Sequence, residues 1–329
     1  MATRVVSYGL GPIGLGIARV AARRPTIMIV GAVDVDPAKI GRDLGELLGG
    51  PALGVPVRGD AAAALAELEP EVVLHATGSS LARVAPQLLE IVNAGAHVVS
   101  TCEELAFPWT AQPQLAAELD AAARRAGVVL LGTGINPGFA MDALPLLLTA
   151  PCAEVRAVRV LRVVDAARRR GPLQKKVGAG LTPEAFAAKV ADGSVRHVGL
   201  PESLHMLATS LGWELDTLQD QIEPVIAEAP IVTEFASVQP GQVAGVRQVA
   251  SGTLGGREVL RLELRMYLGA PDPQDTVEID GDPPVRTTIA GGLHGDLATA
   301  AMIVNAVGSV RRAQPGLGTM ADVPLVHYW

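Results

Sequence analysis

Cysteine is nearly absent from this 329-residue chain, which carries only Cys102 and Cys152. Two thiols cannot build a disulfide framework, and neither belongs to a close cysteine pair matched with histidine. The sequence therefore predicts no metal site and a reducing, cytoplasmic setting. Aromatic residues make up only 3%, with no basic stretch interleaved to stack nucleobases. Excess positive charge is missing as well: the formal net charge is -7, so no overall basic field exists to attract nucleic acid. Nor is there an unbroken apolar run of membrane-spanning length. The nearest, Val5 to Ala22, is interrupted by four glycines, Pro12 and Arg19, short of the roughly 20 consecutive apolar residues a span requires.

What is there is apolar and ordered. With 49% hydrophobic and 19% charged residues, the chain can bury the cores of two domains. Residues 3–9, TRVVSYG, read as a buried strand. They are followed by GPIGLGIARVAARR, whose apolar residues recur at helical spacing and whose arginines gather at the end the helix dipole favours. A second strand, TIMIVGAVDVD (26–36), closes the unit. The alternation continues through VPVRG (55–59), a helix at about 60–68, EVVLHATG (71–78), a helix at about 80–94, AHVVSTC (96–102), a helix at about 111–126 and GVVLLGTG (127–134). This pattern predicts an α/β fold: a Rossmann-type, doubly wound parallel sheet that binds ligands at the carboxyl ends of its strands.

The glycine turn GLGPIG, with Gly9, Gly11, Pro12, Ile13 and Gly14, lies between a strand and a helix, and Asp34 stands 20 residues past Gly14 at the end of the second strand. That context predicts a dinucleotide site. Gly9 makes the turn, Gly11 admits the pyrophosphate, and Gly14 lets the helix pack closely with its amides facing the phosphates. Asp34 suits the ribose hydroxyls and repels a 2′-phosphate, which points to NAD. Lys39 or Arg42 could neutralise that phosphate, which keeps NADP open. Thr77, Gly78 and Ser79 finish the fourth strand and are expected along the pyrophosphate and nicotinamide. His75, in the same strand, reads as a core histidine.

By the same count Glu103 and Glu104 emerge at the carboxyl end of the fifth strand, beside the nicotinamide. Like charges on neighbouring residues must diverge, so one is expected to face substrate and the other the loop.

The segment GAHVVSTCEELAFP (95–108) is similar to the matching stretch of homoserine dehydrogenases and of sugar oxidoreductases, with Glu103 where those families carry a lysine. A carboxylate there suits a general base acting on water or an amine. DPAKIGRDLGELLG (36–49), CEELAFPW (102–109), GTGINPGFAMDALP (132–145), RHVGLPESLHMLATSLGW (196–213), QPGQVAGV (239–246) and QPGLGTMADVP (314–324) together resemble the 2,4-diaminopentanoate dehydrogenases and related NAD(P)-dependent amine dehydrogenases. The resemblance implies a dihydrodipicolinate-reductase-like nucleotide domain and a second, dimerising α+β mixed-sheet domain. It also implies reversible oxidative deamination of an amine to a ketone or aldehyde plus ammonia, with Glu103 as acid and base, or Glu104 if the register is shifted by one. Dihydrodipicolinate reduction itself is not expected, because the His-His-Lys motif and the DAPSGTA loop are missing. Where those relatives carry an asparagine in a strand, this chain has Val164.

The implied organisation is a dinucleotide-binding domain over residues 1–134, rejoined by a helix at about 295–312, and a substrate-binding and dimerisation domain over 135–294. Asn136 and Pro137 read as the N-cap and first residue of a helix opening the second domain, with Asn136 also at the cofactor. ARRRGPLQKKVG (167–178) reads as a mobile, solvated basic loop, or alternatively as one whose Arg168 to Arg170, or Lys175 and Lys176, meet a substrate carboxylate or cofactor phosphate. Long strands are expected at 154–164, 244–254 and 258–268, the last alternating Leu260, Leu262, Leu264, Met266 and Leu268 with Arg261, Glu263 and Arg265. Such a sheet, apolar on one face and polar on the other, suits a homodimer. Phe139, Leu144, Arg162, Val164, His197 and Met206 are the expected substrate pocket, which the scarcity of aromatics makes mainly aliphatic. Two rival readings share the scaffold: an alcohol or imine reductase, and a non-catalytic NAD(H)-sensing dimer.

Overall fold

The structure is a computed structural model and describes residues 2–329. The chain divides into two compact units, the first running up to Phe139 and resuming over His294–Trp329, the second spanning Ala140–Leu293.

Unit one contains β1 (Thr3–Tyr8), α1 (Pro12–Ala21), β2 (Ile27–Val33), α2 (Leu44–Leu47), β3 (Val57–Arg58), α3 (Ala61–Leu68), β4 (Val72–His75), α4 (Leu81–Asn93), β5 (His97–Ser100), α5 (Pro113–Ala126) and β6 (Val129–Gly132), and after the second unit α10 (Gly295–Val310) and β15 (Gly316–Gly318). Its seven strands lie in the order β15-β6-β5-β4-β1-β2-β3, and every pairing is parallel. Strand order reverses between β1 and β4, which opens a crevice at their carboxyl ends. The strands are apolar on both sides because both faces are covered. On one, Val5, Val72, Val99 and Leu131 pack with Ile17 of α1 and with Ile303, Val304 and Val307 of α10. On the other, Val6, Val73, Val98 and Leu130 meet Leu88 and Ile91 of α4 and Leu119 of α5. Each such buried aliphatic side chain contributes about 1.5–3 kcal/mol relative to leaving it in water.

Unit two contains α6 (Ala143–Leu148), β7 (Glu154–Asp165), α7 (Gly171–Lys176), α8 (Pro183–Ala191), α9 (Leu200–Ser210), β8 (Thr217–Ile226), the short hairpin β9 (Ile231–Val232) and β10 (Ser237–Val238), β11 (Val243–Leu254), β12 (Arg257–Tyr267), β13 (Gln274–Asp282) and β14 (Val285–Ala290). Six strands form one mixed sheet in the order β14-β13-β7-β12-β11-β8. Only β7 and β12 run parallel; the other neighbours are antiparallel. Along β12, Leu260, Leu262, Leu264, Met266 and the following Leu268 are buried. α9 rests on β11 and β12, where a side chain at Gly252 would strike Leu215 and press on Leu204. The alternate positions carry a charge network. Glu263 Oε1 lies 2.8 Å from Arg247 Nε and 2.8 Å from Arg265 Nε, and its Oε2 lies 3.3 Å from Arg261. Although burial works against ionisation, the Arg247 and Arg265 guanidiniums pull the Glu263 pKa down to about 2.

Two expectations are corrected. Asn136 and Pro137 do not begin a helix: Gly138 takes φ +125, and no helix residue can continue through that left-handed position. α6 starts only at Ala143, capped by the Asp142 carboxylate, which accepts from the Ala143 amide at 2.6 Å. The basic stretch 167–178 is not a bare loop. It forms a short 3-10 turn, Ala166–Arg168, and then α7. The buried Gln174 organises it, donating to the carbonyls of Ala167 and Arg169 and accepting from Thr233 Oγ1 at 2.8 Å.

Candidate functional site

In unit one the glycine turn is fixed by close approach. Gly9 has φ +85, and a side chain there would meet the Ala76 carbonyl oxygen at 2.5 Å and Thr77 at 2.8 Å. A side chain at Gly14 would overlap the Gly9 carbonyl, so strand, turn and helix interlock only through hydrogen atoms. Gly11 is different: nothing lies within 4 Å of where its Cβ would stand. Gly11 is also the N-cap of α1, with Pro12 opening the helix and no side chain capping it. An open cradle over an uncapped, partly positive helix end is what a pyrophosphate needs, and Ile13 and Gly14 sit in that first turn.

Asp34 closes the far side. Its Oδ2 accepts from the Leu10 amide at 2.6 Å and its Oδ1 from the Asp36 amide at 2.8 Å. Lys39 Nζ bridges Asp34 and Asp36 at 3.2 and 3.3 Å. Burial alone would raise the Asp34 pKa, but the two amides and the ammonium outweigh it and hold the carboxyl below its ordinary range. Asp34 thus stays ionised while tying the end of β2 to the glycine turn. Exposed Val35 and Ile40 flank it.

The ends of β4, β5 and β6 continue the same rim. His75 is fully buried, with Nδ1 2.8 Å from Ser100 Oγ and Nε2 2.9 Å from Gln87 Oε1. Burial pushes its pKa down to about 4, so it is a neutral core histidine at physiological pH. Thr77 is exposed and donates to Gln87 Oε1 at 2.6 Å. Gly78 is exposed too, and the Ser79 carbonyl accepts from the Glu104 amide at 3.3 Å and the Cys102 thiol at 3.2 Å. Burial, with the two neighbouring glutamates, raises the Cys102 pKa to about 12, which leaves the thiol unreactive.

Glu103 and Glu104 open a 3-10 turn, Glu103–Ala106, directly after β5. Both are half-exposed rather than strand-buried. Glu104 Oε2 accepts from the Leu81 amide at 2.7 Å and from Gln112 Nε2 at 2.8 Å, so this carboxylate sits on the N-terminus of α4 and joins it to the residue that caps α5. β6 lies against the turn so closely that a side chain on Gly132 would strike the backbone of Leu105 and Ala106.

Beyond β6, the Thr133 amide donates to the Ser100 carbonyl at 2.9 Å and the Ile135 amide to Thr299 Oγ1 at 3.2 Å. Asn136 is 8% exposed, and neither its Oδ1 nor its Nδ2 has a partner within the protein. The Thr133 hydroxyl, 3% exposed, is in the same condition. No motif or spacing singles out Thr133; only the buried, unanswered hydroxyl marks it. The residues present therefore fit a dinucleotide: an open glycine cradle, an ionised ribose carboxylate and an orphaned amide lie along the carboxyl edge of one sheet. Among the described residues no group of three or more His, Cys, Asp or Glu could hold a metal ion, and no helix is long and apolar enough to cross a membrane.

Of the expected pocket residues, Phe139 ends the first stretch of unit one and is half-buried. The others lie in unit two. Leu144 is half-buried in α6, and Met206 is buried in α9. Arg162 and Val164 stand two residues apart on β7 and pair with Leu264 and Met266 of β12, on the apolar face. Arg162 is 2% exposed and forms an ion pair at 2.6 Å with Asp275, its cross-strand partner on β13, while also donating to the Leu293 carbonyl. This in-sheet pair accounts for Arg162, and Asp275 is a residue the sequence reading missed. The backbone of His197 is clamped by Gln248, which accepts from its amide at 2.8 Å and donates to its carbonyl. Burial, reinforced by the cations Lys176, Arg162 and Arg169, pushes the His197 pKa down to about 3, and its Nδ1 has no partner within the protein.

Comparison with known proteins gives concordant matches. The profile of the 2,4-diaminopentanoate dehydrogenase C-terminal domain matches residues 139–329. The chain is 31% identical to the 2,4-diaminopentanoate dehydrogenase of Acetoanaerobium sticklandii, over 98% of this chain and 93% of that protein. It is 27% identical to an amine dehydrogenase of Streptomyces virginiae, over 97% of this chain and 96% of that one. Among solved structures, the amine dehydrogenase of Mycobacterium smegmatis superposes with a TM-score of 0.88 at 27% identity, covering 100% of this chain and 98% of the other.

Proposed function

The chain belongs to the 2,4-diaminopentanoate dehydrogenase family, and from that premise we propose that it is an NAD(P)-dependent amine dehydrogenase whose acid–base group is Glu103. The observation that carries the assignment is the division of labour at the end of β5. Of the two adjacent carboxylates, Glu104 is committed to the amide of Leu81 and to Gln112. That commitment is structural, and Glu103 stands on the adjoining residue of the same turn, at the position where the resemblance to the amine dehydrogenases puts the acid–base group.

When bound, the dinucleotide supplies the acceptor for the hydride that leaves the amine-bearing carbon, which converts the amine to an iminium. Glu103 then takes a proton from the water that adds to the iminium carbon. The carbinolamine so formed breaks its C–N bond and releases ammonia and the ketone or aldehyde. In reverse, Glu103 activates ammonia and protonates the departing hydroxyl. Gly9, Gly11, Pro12, Ile13, Gly14, Thr77, Gly78 and Ser79 are assigned to the phosphates and nicotinamide, and Asp34 with Lys39 to the adenosine ribose. Within unit two, Leu144, Val164, His197 and Met206 are assigned to a mainly aliphatic substrate pocket, which favours small and medium apolar amines. Two copies are proposed to associate through the charged sheet face around Glu263, as a homodimer; a monomeric mass by light scattering at micromolar concentration would exclude this.

The deciding experiment is reduction of NAD⁺ and of NADP⁺ at high pH with 2,4-diaminopentanoate and with plain alkyl amines, comparing wild type with Glu103→Gln. Amine-dependent turnover confined to wild type supports the proposal. NADH binding with no amine-dependent turnover in either protein would favour a sensor, and ammonia-independent carbonyl reduction an alcohol reductase.

A further inference from the structure

The amide of Asn136 is unanswered at both ends. The residue is 8% exposed, and neither its Oδ1 nor its Nδ2 finds a partner in the protein. An unpaired buried amide is costly, so a native structure that keeps one holds it for a ligand or ordered water.

The loop that carries Asn136 is rigidly built. It is pinned at Thr133 to the Ser100 carbonyl and at Ile135 to Thr299. It is also packed so tightly that a side chain on Gly138 would overlap the Gly134 amide and lie 2.5 Å from Thr133 Oγ1. The side chain is thus buried in a tightly packed loop, with neither polar atom answered from within the protein. It follows shortly after β6, the strand whose Gly132 lies against the turn that bears Glu103, and so belongs to the carboxyl rim of the sheet.

A side chain offering one acceptor and one donor in a fixed plane is answered best by a group offering one donor and one acceptor in a plane. A nicotinamide dinucleotide carries such a group, its ring carboxamide. We propose that Asn136 orients the cofactor by pairing with the nicotinamide carboxamide, Oδ1 accepting from the amide nitrogen and Nδ2 donating to the amide oxygen. This rests on the reading of unit one as a nicotinamide-dinucleotide site. A carboxamide held at both atoms cannot rotate about its bond to the ring, so Asn136 fixes which ring face is turned outward and acts without exchanging a proton.

The test is a binding cycle with two dinucleotides, NADH and reduced 3-acetylpyridine adenine dinucleotide, in which a methyl replaces the amide nitrogen and removes its donor. Dissociation constants are measured by quenching of protein fluorescence for wild type and Asn136→Ala. Wild type is expected to bind NADH about fivefold to tenfold more tightly than the analogue, the value of one neutral hydrogen bond. Asn136→Ala is expected to weaken NADH by at least that factor and to bring the ratio close to one. A ratio of one in wild type overturns the proposal with no variant needed, and so does a ratio that Asn136→Ala leaves unchanged. Because the readout is cofactor binding, amine turnover failing while the ratio behaves as expected would sink the amine chemistry and leave the Asn136 assignment standing.

Discussion

Replacing Glu104 with alanine should destabilise the protein and spare its chemistry, while Glu103→Gln should do the reverse. The Glu104 carboxylate answers the Leu81 amide at 2.7 Å and Gln112 at 2.8 Å. Losing a side-chain acceptor at a helix N-terminus costs about 0.5–2 kcal/mol, and losing a negative charge at the positive end of a helix as long as α4 costs a further 0.3–1 kcal/mol or so. Together these give roughly 1–3 kcal/mol for Glu104→Ala. For a folding unit of this size that lowers the melting temperature by about 2–12 °C. Glu104→Gln keeps an acceptor oxygen and should lose only about 1 kcal/mol, mostly the charge term. Scanning calorimetry and amine-dependent NAD⁺ reduction on the same preparations separate the two glutamates. The Glu104 variants should melt early and retain kcat within a few-fold, whereas Glu103→Gln should melt near wild type and lose about 10²–10⁴-fold in kcat. A hundredfold loss of kcat in Glu104→Gln with an unchanged melting temperature, alongside an active Glu103→Gln, would refute the reasoning and exchange the roles.

Three further outcomes follow from the same geometry. Glu263 has its pKa held to about 2, against 4.5 ordinarily, so its stabilisation is complete above the unfolded pKa and drains away as pH falls towards the folded one. The shift sets a ceiling of about 3 kcal/mol, and its half-exposed arginine partners reduce this to about 1 kcal/mol; urea melts at pH 6 and pH 3 should show wild type losing that much more than Glu263→Gln. Arg162→Leu leaves Asp275 as a buried charge without its cation and should cost about 3–5 kcal/mol, whereas the double change with Asp275→Leu should cost clearly less; equal losses in the two would contradict the pairing. Lys39→Ala should raise KM for NADP⁺ more than for NAD⁺, because it removes the cation at Asp34 and Asp36; an unchanged ratio of the two constants would remove Lys39 from cofactor recognition.

The nucleotide half was legible because its signals are local. The apolar runs, the glycine turn and an acid at the end of the second strand are set by backbone approach and strand burial, which neighbouring residues dictate. What misled was punctuation whose meaning depends on later residues. Asn136 and Pro137 carry the letters of a helix start, yet Gly138 breaks the helix and Asp142 supplies the cap. The arginines and lysines of 167–178 look solvated in a string of letters, but Gln174 folds them by bonding to a threonine 59 positions away. β14 escaped notice because its alternate residues remain at least partly exposed, giving an edge strand little apolar contrast to read. Which of two neighbouring glutamates is structural depends on Leu81 and Gln112, and no spacing rule reveals that.

The return of α10 to the first unit has a consequence for how the protein is made. Ile303, Val304 and Val307 complete one face of the same core that Val5 and Ile17 begin, so the segments on either side of the second unit are needed together. A ribosome delivers the glycine turn before the second unit and the helix that seals its sheet after it. Domains fold as units during synthesis. The intervening Ala140–Leu293 is therefore free to fold while the nucleotide half, begun earlier, waits with an uncovered sheet until α10 emerges.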